Sequence, residues 1–345
     1  MKFRTLLFAA ALTGCAAVTA PPGPGPATPA LAPDSFTARD GMVLPLRHWG
    51  PLEHPRAIIV ALHGMSDYSN GFAMPGAEWA KANILTLAYD QRGFGAAPNP
   101  GLWAGADVMR DDLRDAVAAA HRRWPGIPVF ALGESMGGAV VLTALEQPGS
   151  IAPAKCEGRY AGASDRVSAC DQQKLDVTGA ILVAPAVWSR ADMPLSYRVA
   201  LFLAAHFLPG LILSNSAASH VVTVIPSDNI EMLRAMARDP LVQHETRADA
   251  VFGLTNLMDE ARTAPSRITN SKDGSGAPPI LFTYGARDQV IPPAPTTAVI
   301  ALLGPRAEVH RYDNGYHMLL RDLDRAAPQR DIAAWISARA TENRP

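Results

Sequence analysis

The run Gly133-Glu134-Ser135-Met136-Gly137-Gly138 is where this sequence concentrates its chemical potential. It follows an apolar, β-like stretch at 129–132 and precedes a helical pattern at 139–146. In that strand, turn and helix setting a G-x-S-x-G sequence presents a serine hydroxyl for nucleophilic attack. Gly133 and Gly137 permit the tight crossing because they carry no side chain. The following helix offers its first N–H groups to negative charge developing on a substrate oxygen. A serine at neutral pH is a poor nucleophile, so it needs a base within hydrogen-bond reach and an acid that orients the base.

In the fold class that this strand, elbow and helix context marks, the chain order is Ser, then Asp or Glu, then His. Asp288 follows the β-like run at 280–284 in Gly285-Ala286-Arg287-Asp288-Gln289-Val290, and His317 follows the run at 308–312 in Gly315-Tyr316-His317-Met318. Each is placed at a strand end. Asp313 is the rival acid, close to His317 in sequence but not at the end of the strand that usually bears the acid. His121, His206, His220, His244 and His310 follow no final core strand. The oxyanion donors are expected to be the backbone N–H of Met136 and, from the early loop His63-Gly64-Met65-Ser66-Asp67, that of Met65. His63 precedes the serine and is read as ordering that loop, the alternative being a base. The turn Asp90-Gln91-Arg92-Gly93-Phe94-Gly95 is read as a structural ion pair under the loop, the alternative being a phosphate site.

These residues must be held by an alternation of strands and helices. Apolar runs at 57–62, 84–89, 129–132, 181–184 and 280–284 suit strands buried on both faces. The stretch 107–124 has an apolar face at Val108, Leu113, Val117, Ala120 and Trp124 and stops at Pro125-Gly126. The expected fold class is α/β, a mostly parallel central sheet flanked by helices, with core segments 36–186 and 266–345. An inserted helical cap is expected over 187–265, and a further insertion near 150–176. The apolar stretch 199–213 is too short to span a bilayer and is broken by His206 and Pro209-Gly210. Its part 201–213 is expected either to line an acyl channel or to pack the cap on the core.

The 345 residues carry a formal charge of −1 and 48% hydrophobic side chains, which excludes a strongly basic nucleic-acid footprint. Lys2 and Arg4 precede a short apolar run ending at Leu12-Thr13-Gly14-Cys15, similar to a bacterial lipoprotein signal with acylation at Cys15; an ordinary secretory signal is the alternative. Residues 21–33, PPGPGPATPALAP, are expected to be an extended or disordered tether. Export makes a disulfide between Cys156 and Cys170 the expectation, with two free thiols as the alternative. The protein is thus expected in a bacterial cell envelope, outer membrane before inner, with its domain outside the cytoplasm.

Taken together, HGM, DQRGFG, GESMGG, GARDQVIPP and GYHMLLRD resemble the monoacylglycerol lipase and lysophospholipase branch of the α/β hydrolases, also described as serine aminopeptidase-like. The resemblance spans 36–336. It implies the α/β-hydrolase fold, the triad Ser135, Asp288 and His317, oxyanion donors Met65 and Met136, no cofactor, and a lipophilic cap over an acyl site. Single-chain lipid esters are the implied substrates. A peptidase releasing N-terminal residues and an inactive binding lipoprotein are the alternatives. The insertion at 152–176 and the leader depart from the family pattern, and Glu134 stands where animal monoacylglycerol lipases commonly carry His.

Overall fold

The computed structural model describes residues 18–146, 174–214, 224–269 and 277–342. Its strands arise where the sequence runs apolar without alternation. In β4 (Ala57–Leu62), Ile58, Val60 and Leu62 enter one core layer, while Ala57, Ile59 and Ala61 enter the other. Polar residues at either set of positions would be stranded away from water.

Before β4, the short β1 (Ala30–Leu31), β2 (Ser35–Thr37) and β3 (Val43–Trp49) form an antiparallel edge. After it come α1 (Ala73–Ala80), β5 (Ile84–Tyr89), α2 (Ala106–Arg123), β6 (Val129–Glu134), α3 (Met136–Ala144) and β7 (Gly179–Val183). The cap region holds α4 (Leu195–Phe207), β8 (Ile212–Ser214), α5 (Ile230–Met236), β9 (Glu245–Arg247) and α6 (Ala248–Thr269). The chain then finishes with β10 (Ile280–Gly285), α7 (Pro293–Leu303), β11 (Ala307–Tyr312) and α8 (Ala326–Glu342). The nine-stranded sheet has the order β1-β2-β3-β5-β4-β6-β7-β10-β11, parallel from β5 to β11. Side chains from α2, α3, α6 and α7 cover one face, and those from α1 and α8 cover the other. This is the α/β-hydrolase arrangement expected from the sequence.

Three features differ from expectation. Helix α6 runs through Pro265 and on to Thr269, where the sequence reading ended the cap. Its Leu257, Ala261, Ala264 and Ile268 are buried in the core layer that also holds Val140 and Val141 of α3, so this helix serves core and cap together. Packing of that face outweighs one proline near the helix end. The cap also contains a small antiparallel ribbon, β8 with β9, too short for a two-residue period to show in sequence. Finally, the apolar stretch after residue 200 faces largely outward: Phe202, Leu203, Phe207, Leu208, Leu211, Ile212 and Leu213 are exposed, while Ala205 is buried and His206 packs edge-on to Phe252 of α6.

The Pro/Gly/Ala-rich segment is extended, as its composition dictates, but from residue 18 it lies along the core instead of hanging free. Ala20 N–H donates to Trp103 C=O (3.0 Å), Gly25 N–H to Asp40 C=O (2.9 Å) and Ala27 N–H to Arg39 C=O (2.7 Å). At Gly23 a Cβ would sit 2.3 Å from the Asp40 carbonyl oxygen, so the close approach requires glycine. Cys15, Cys156 and Cys170 lie outside the described residues, and so do the expected anchor and bridge. Among the described residues no helix is long and apolar enough to cross a membrane.

Candidate active site

Strand β6 delivers Ser135 at its carboxyl end, and α3 begins one residue later. Ser135 has φ 54° and ψ −114°, a conformation an L-residue adopts only when the surroundings impose it. The imposition is visible in the glycines. A Cβ on Gly133 would lie 2.2 Å from the Gly137 carbonyl oxygen, and one on Gly137 would lie 2.2 Å from that of Leu62. The helix therefore turns back against β4 and β6 at backbone contact, leaving the serine hydroxyl at the crest.

Asp288 follows β10 and His317 follows β11, the parallel neighbours on the β7 side of the sheet. The Ser135 hydroxyl lies 2.9 Å from His317 Nε2, and His317 Nδ1 lies 2.8 Å from Asp288 Oδ2. The other carboxylate oxygen, Oδ1, accepts N–H bonds from Val290 (2.8 Å) and Ile291 (3.0 Å), which fixes the orientation of Asp288. With Nδ1–H donating to Asp288, Nε2 is left to accept from Ser135. The structure thus brings together the three residues that the sequence singled out from well-separated positions. Asp313 is not among them: its exposed carboxylate pairs with Arg311 at 2.9 Å. His310 pairs with Glu308, His206 stacks on Phe202, and His121 bonds to the Asp176 carbonyl.

Met136 is the first residue of α3, so its N–H belongs to the turn that has no intrahelical acceptor. Gly64 places the loop containing Met65 directly against the nucleophile, since a Cβ there would be 3.2 Å from Ser135 Cβ. His63 is fully buried behind this loop. Its Nε2 accepts the Gln91 N–H (3.0 Å), its Nδ1 lies 2.8 Å from the Gly64 carbonyl, and Gln91 returns a bond to the His63 carbonyl (2.8 Å). Burial holds the imidazole below its ordinary pKa, which keeps it neutral and suited to ordering the loop. The neighbouring turn is structural as well. Arg92 is buried between Asp40 (2.6 Å) and Asp112 (2.7 Å), and Asp90 Oδ1 accepts the N–H and hydroxyl of Ser69.

Two sets of contacts leave little trace in the sequence. From the cap, Gln243 N–H donates to the Ser66 carbonyl (2.8 Å), and Asp239 accepts the Tyr68 hydroxyl (2.6 Å), so the cap grips the loop that carries Met65. Beneath the site, Arg321 donates to Asp67 (2.6 Å) and Glu134 (3.3 Å). The one sequence signal was an arginine in the otherwise apolar stretch Met318-Leu319-Leu320-Arg321.

The arrangement suits acyl transfer: a half-buried hydroxyl, a base on it, an acid on the base, and the first turn of α3 beside them. A model of the Hydrolase_4 family, described as serine aminopeptidase S33, matches residues 53–158 and 158–324. Human monoglyceride lipase is 25% identical over 307 residues, 87% of this chain and 88% of its own length. Monoacylglycerol lipase of Mycolicibacterium smegmatis is 24% identical over 310 residues, 88% and 95% of the two chains. Among solved structures, a soluble variant of monoglyceride lipase from Saccharomyces cerevisiae with a substrate analogue superposes with a TM-score of 0.66 at 17% identity, covering 92% of this chain and 99% of that one.

Proposed function

Since this chain belongs to the Hydrolase_4 serine aminopeptidase S33 family, we propose that it is an ester hydrolase acting on single-chain lipid esters such as monoacylglycerols and lysophospholipids. The observation that carries the reading is the hydrogen-bonded series Ser135, His317, Asp288 at the crest of a strained elbow. In this mechanism Ser135 Oγ attacks the ester carbonyl carbon while His317 Nε2 takes the hydroxyl proton. The Met65 and Met136 N–H groups hold the oxyanion, and Asp288 stabilises the imidazolium. Collapse breaks the bond to the leaving alcohol, which receives the proton from His317. Water then attacks the acyl-serine through the same base, releasing the acid and restoring Ser135.

The exposed apolar stretch from Phe202 to Leu213 supports a lipid-like substrate over a peptide. A peptidase releasing N-terminal residues needs a carboxylate to hold a free amine. Glu134, the acid adjoining Ser135, is buried and paired with Arg321. The test is kcat/KM for monoacylglycerols, lysophospholipids and aminoacyl amides of graded length. Each methylene buried against the cap contributes up to ~0.8 kcal/mol. Turnover should therefore rise by up to about fourfold per added CH₂ until the site is full. A response flat in chain length removes the acyl-site argument, and aminoacyl amides turned over faster than any ester would transfer the reading to the peptidase.

The leader and Cys15 support attachment to the bacterial cell envelope, and export supports a Cys156–Cys170 bridge. Mass spectrometry of protein from membrane fractions should show acylated Cys15 at the mature N-terminus, and non-reducing peptide mapping should show the bridge. An unmodified Cys15, or two alkylatable thiols in protein isolated without reductant, would refute the respective assignment.

A further inference from the structure

The oxyanion loop, the nucleophile and the base arrive from three separate loops, yet their relative placement must hold to a fraction of an ångström. We propose that Arg321 is a positioning residue that locks these three loops together, with Glu134 as its charged partner beside the nucleophile. The inference rests on the ester-hydrolase reading for its chemistry but not for its geometry.

Arg321 lies four residues after His317, Glu134 immediately before Ser135, and Asp67 three residues after Gly64. One guanidinium nitrogen, Nη2, serves both carboxylates, at 2.6 Å to Asp67 Oδ2 and 3.3 Å to Glu134 Oε2. All three side chains are at most 6% exposed. The fit is closed: a Cβ on Gly71 would lie 2.9 Å from Asp67 Oδ2 and 3.3 Å from Arg321 Nη1. The Arg321 backbone is itself held, its N–H donating to the Met318 carbonyl (2.8 Å) and its carbonyl accepting from Asn229 (2.8 Å). Movement of any one loop would leave a charge buried without its partner, which is the costliest kind of packing error.

The cluster also has an electrostatic consequence. Burial raises the Glu134 pKa, and the charge of Arg321 opposes that rise. The charged groups acting on Glu134 are Arg321, Asp67 and His317, and Glu134 in turn acts on Asp322 in the His317 loop. Burial pushes the Asp322 carboxyl up to about 6. A Glu134 anion also favours the protonated form of Asp322, so the charge beside the nucleophile is felt in the loop that carries the base.

Two near-isosteric variants of the full chain test the proposal. Arg321→Lys keeps the charge but loses the planar reach to both carboxylates. Its kcat on a soluble short-chain ester should fall by about ten- to a hundred-fold with KM little changed, because the loss is one of alignment. Its rate constant for labelling of Ser135 by a fluorophosphonate should fall in parallel. Glu134→Gln keeps the shape but removes one of the two charges on Arg321, and should slow labelling by a smaller factor than Arg321→Lys because Asp67 still holds the guanidinium. Circular dichroism and thermal melts report the folded fraction of each variant. The proposal is overturned if Arg321→Lys labels and turns over at the wild-type rate, if its losses merely track the fraction unfolded, or if Glu134→Gln labels at the wild-type rate. Labelling without ester turnover in the wild type would instead count against the ester reading, and the labelling rates would still test Arg321.

Discussion

Replacing Ser135 with alanine should reduce ester turnover by about a million-fold, the scale on which removing the nucleophile of a serine hydrolase acts. The expectation follows from position as much as from residue type. Ser135 Oγ is bonded to His317 Nε2 at 2.9 Å and sits in a conformation that only the glycine contacts around it enforce. Alanine needs the same backbone and removes one hydroxyl, so the fold should survive and the covalent step should not. Steady-state turnover of a soluble ester, with the thermal midpoint measured beside it, checks both halves. A variant that retains a tenth of wild-type turnover would mean that another group carries the chemistry.

Asp288→Asn should cost about 10⁴-fold in kcat, by analogy with the same change in other Ser-His-Asp enzymes. The structure supplies the reason. Asp288 Oδ1 receives the N–H groups of Val290 and Ile291, so the carbonyl oxygen of an asparagine would occupy that place. Its NH₂ would then face His317 Nδ1, which could only accept. The proton would be driven to Nε2, where the imidazole has to take the serine proton. Asp313→Asn is the matched control: its carboxylate is exposed and paired only across the surface with Arg311, so turnover should be close to wild type. If Asp313→Asn lost far more activity than Asp288→Asn, the orienting acid would have to be reassigned.

The site was readable in sequence to the extent that its chemistry depends on residue types at strand ends. β4 and β5 occupy the ranges their apolar runs mark out, because strands covered on both faces are apolar almost throughout, with Thr86 of β5 the buried exception. Ser135, Asp288 and His317 follow because each comes shortly after a strand of the sheet, β6, β10 and β11 respectively. What sequence did not reveal depends on backbone contact or on distant partners. The segment after residue 18 binds the core mainly through its own N–H and C=O groups, which leave no pattern in side chains. Arg321 finds its partners 254 and 187 residues away, and nothing near it in the chain hints at either. Helix α6 crosses Pro265 because tertiary burial of Ala261, Ala264 and Ile268 overrides a local rule.

In the proposed mechanism Ser135, activated by His317, forms the acyl-enzyme. The most direct measurement is the intact mass of the full chain after reaction with a fluorophosphonate, followed by peptide mapping. A single adduct located on Ser135 is expected, absent when the same experiment is run on Ser135→Ala and much slower to form in Asp288→Asn. An adduct on any other residue, or one that forms on Ser135→Ala as fast as on the wild type, would contradict it.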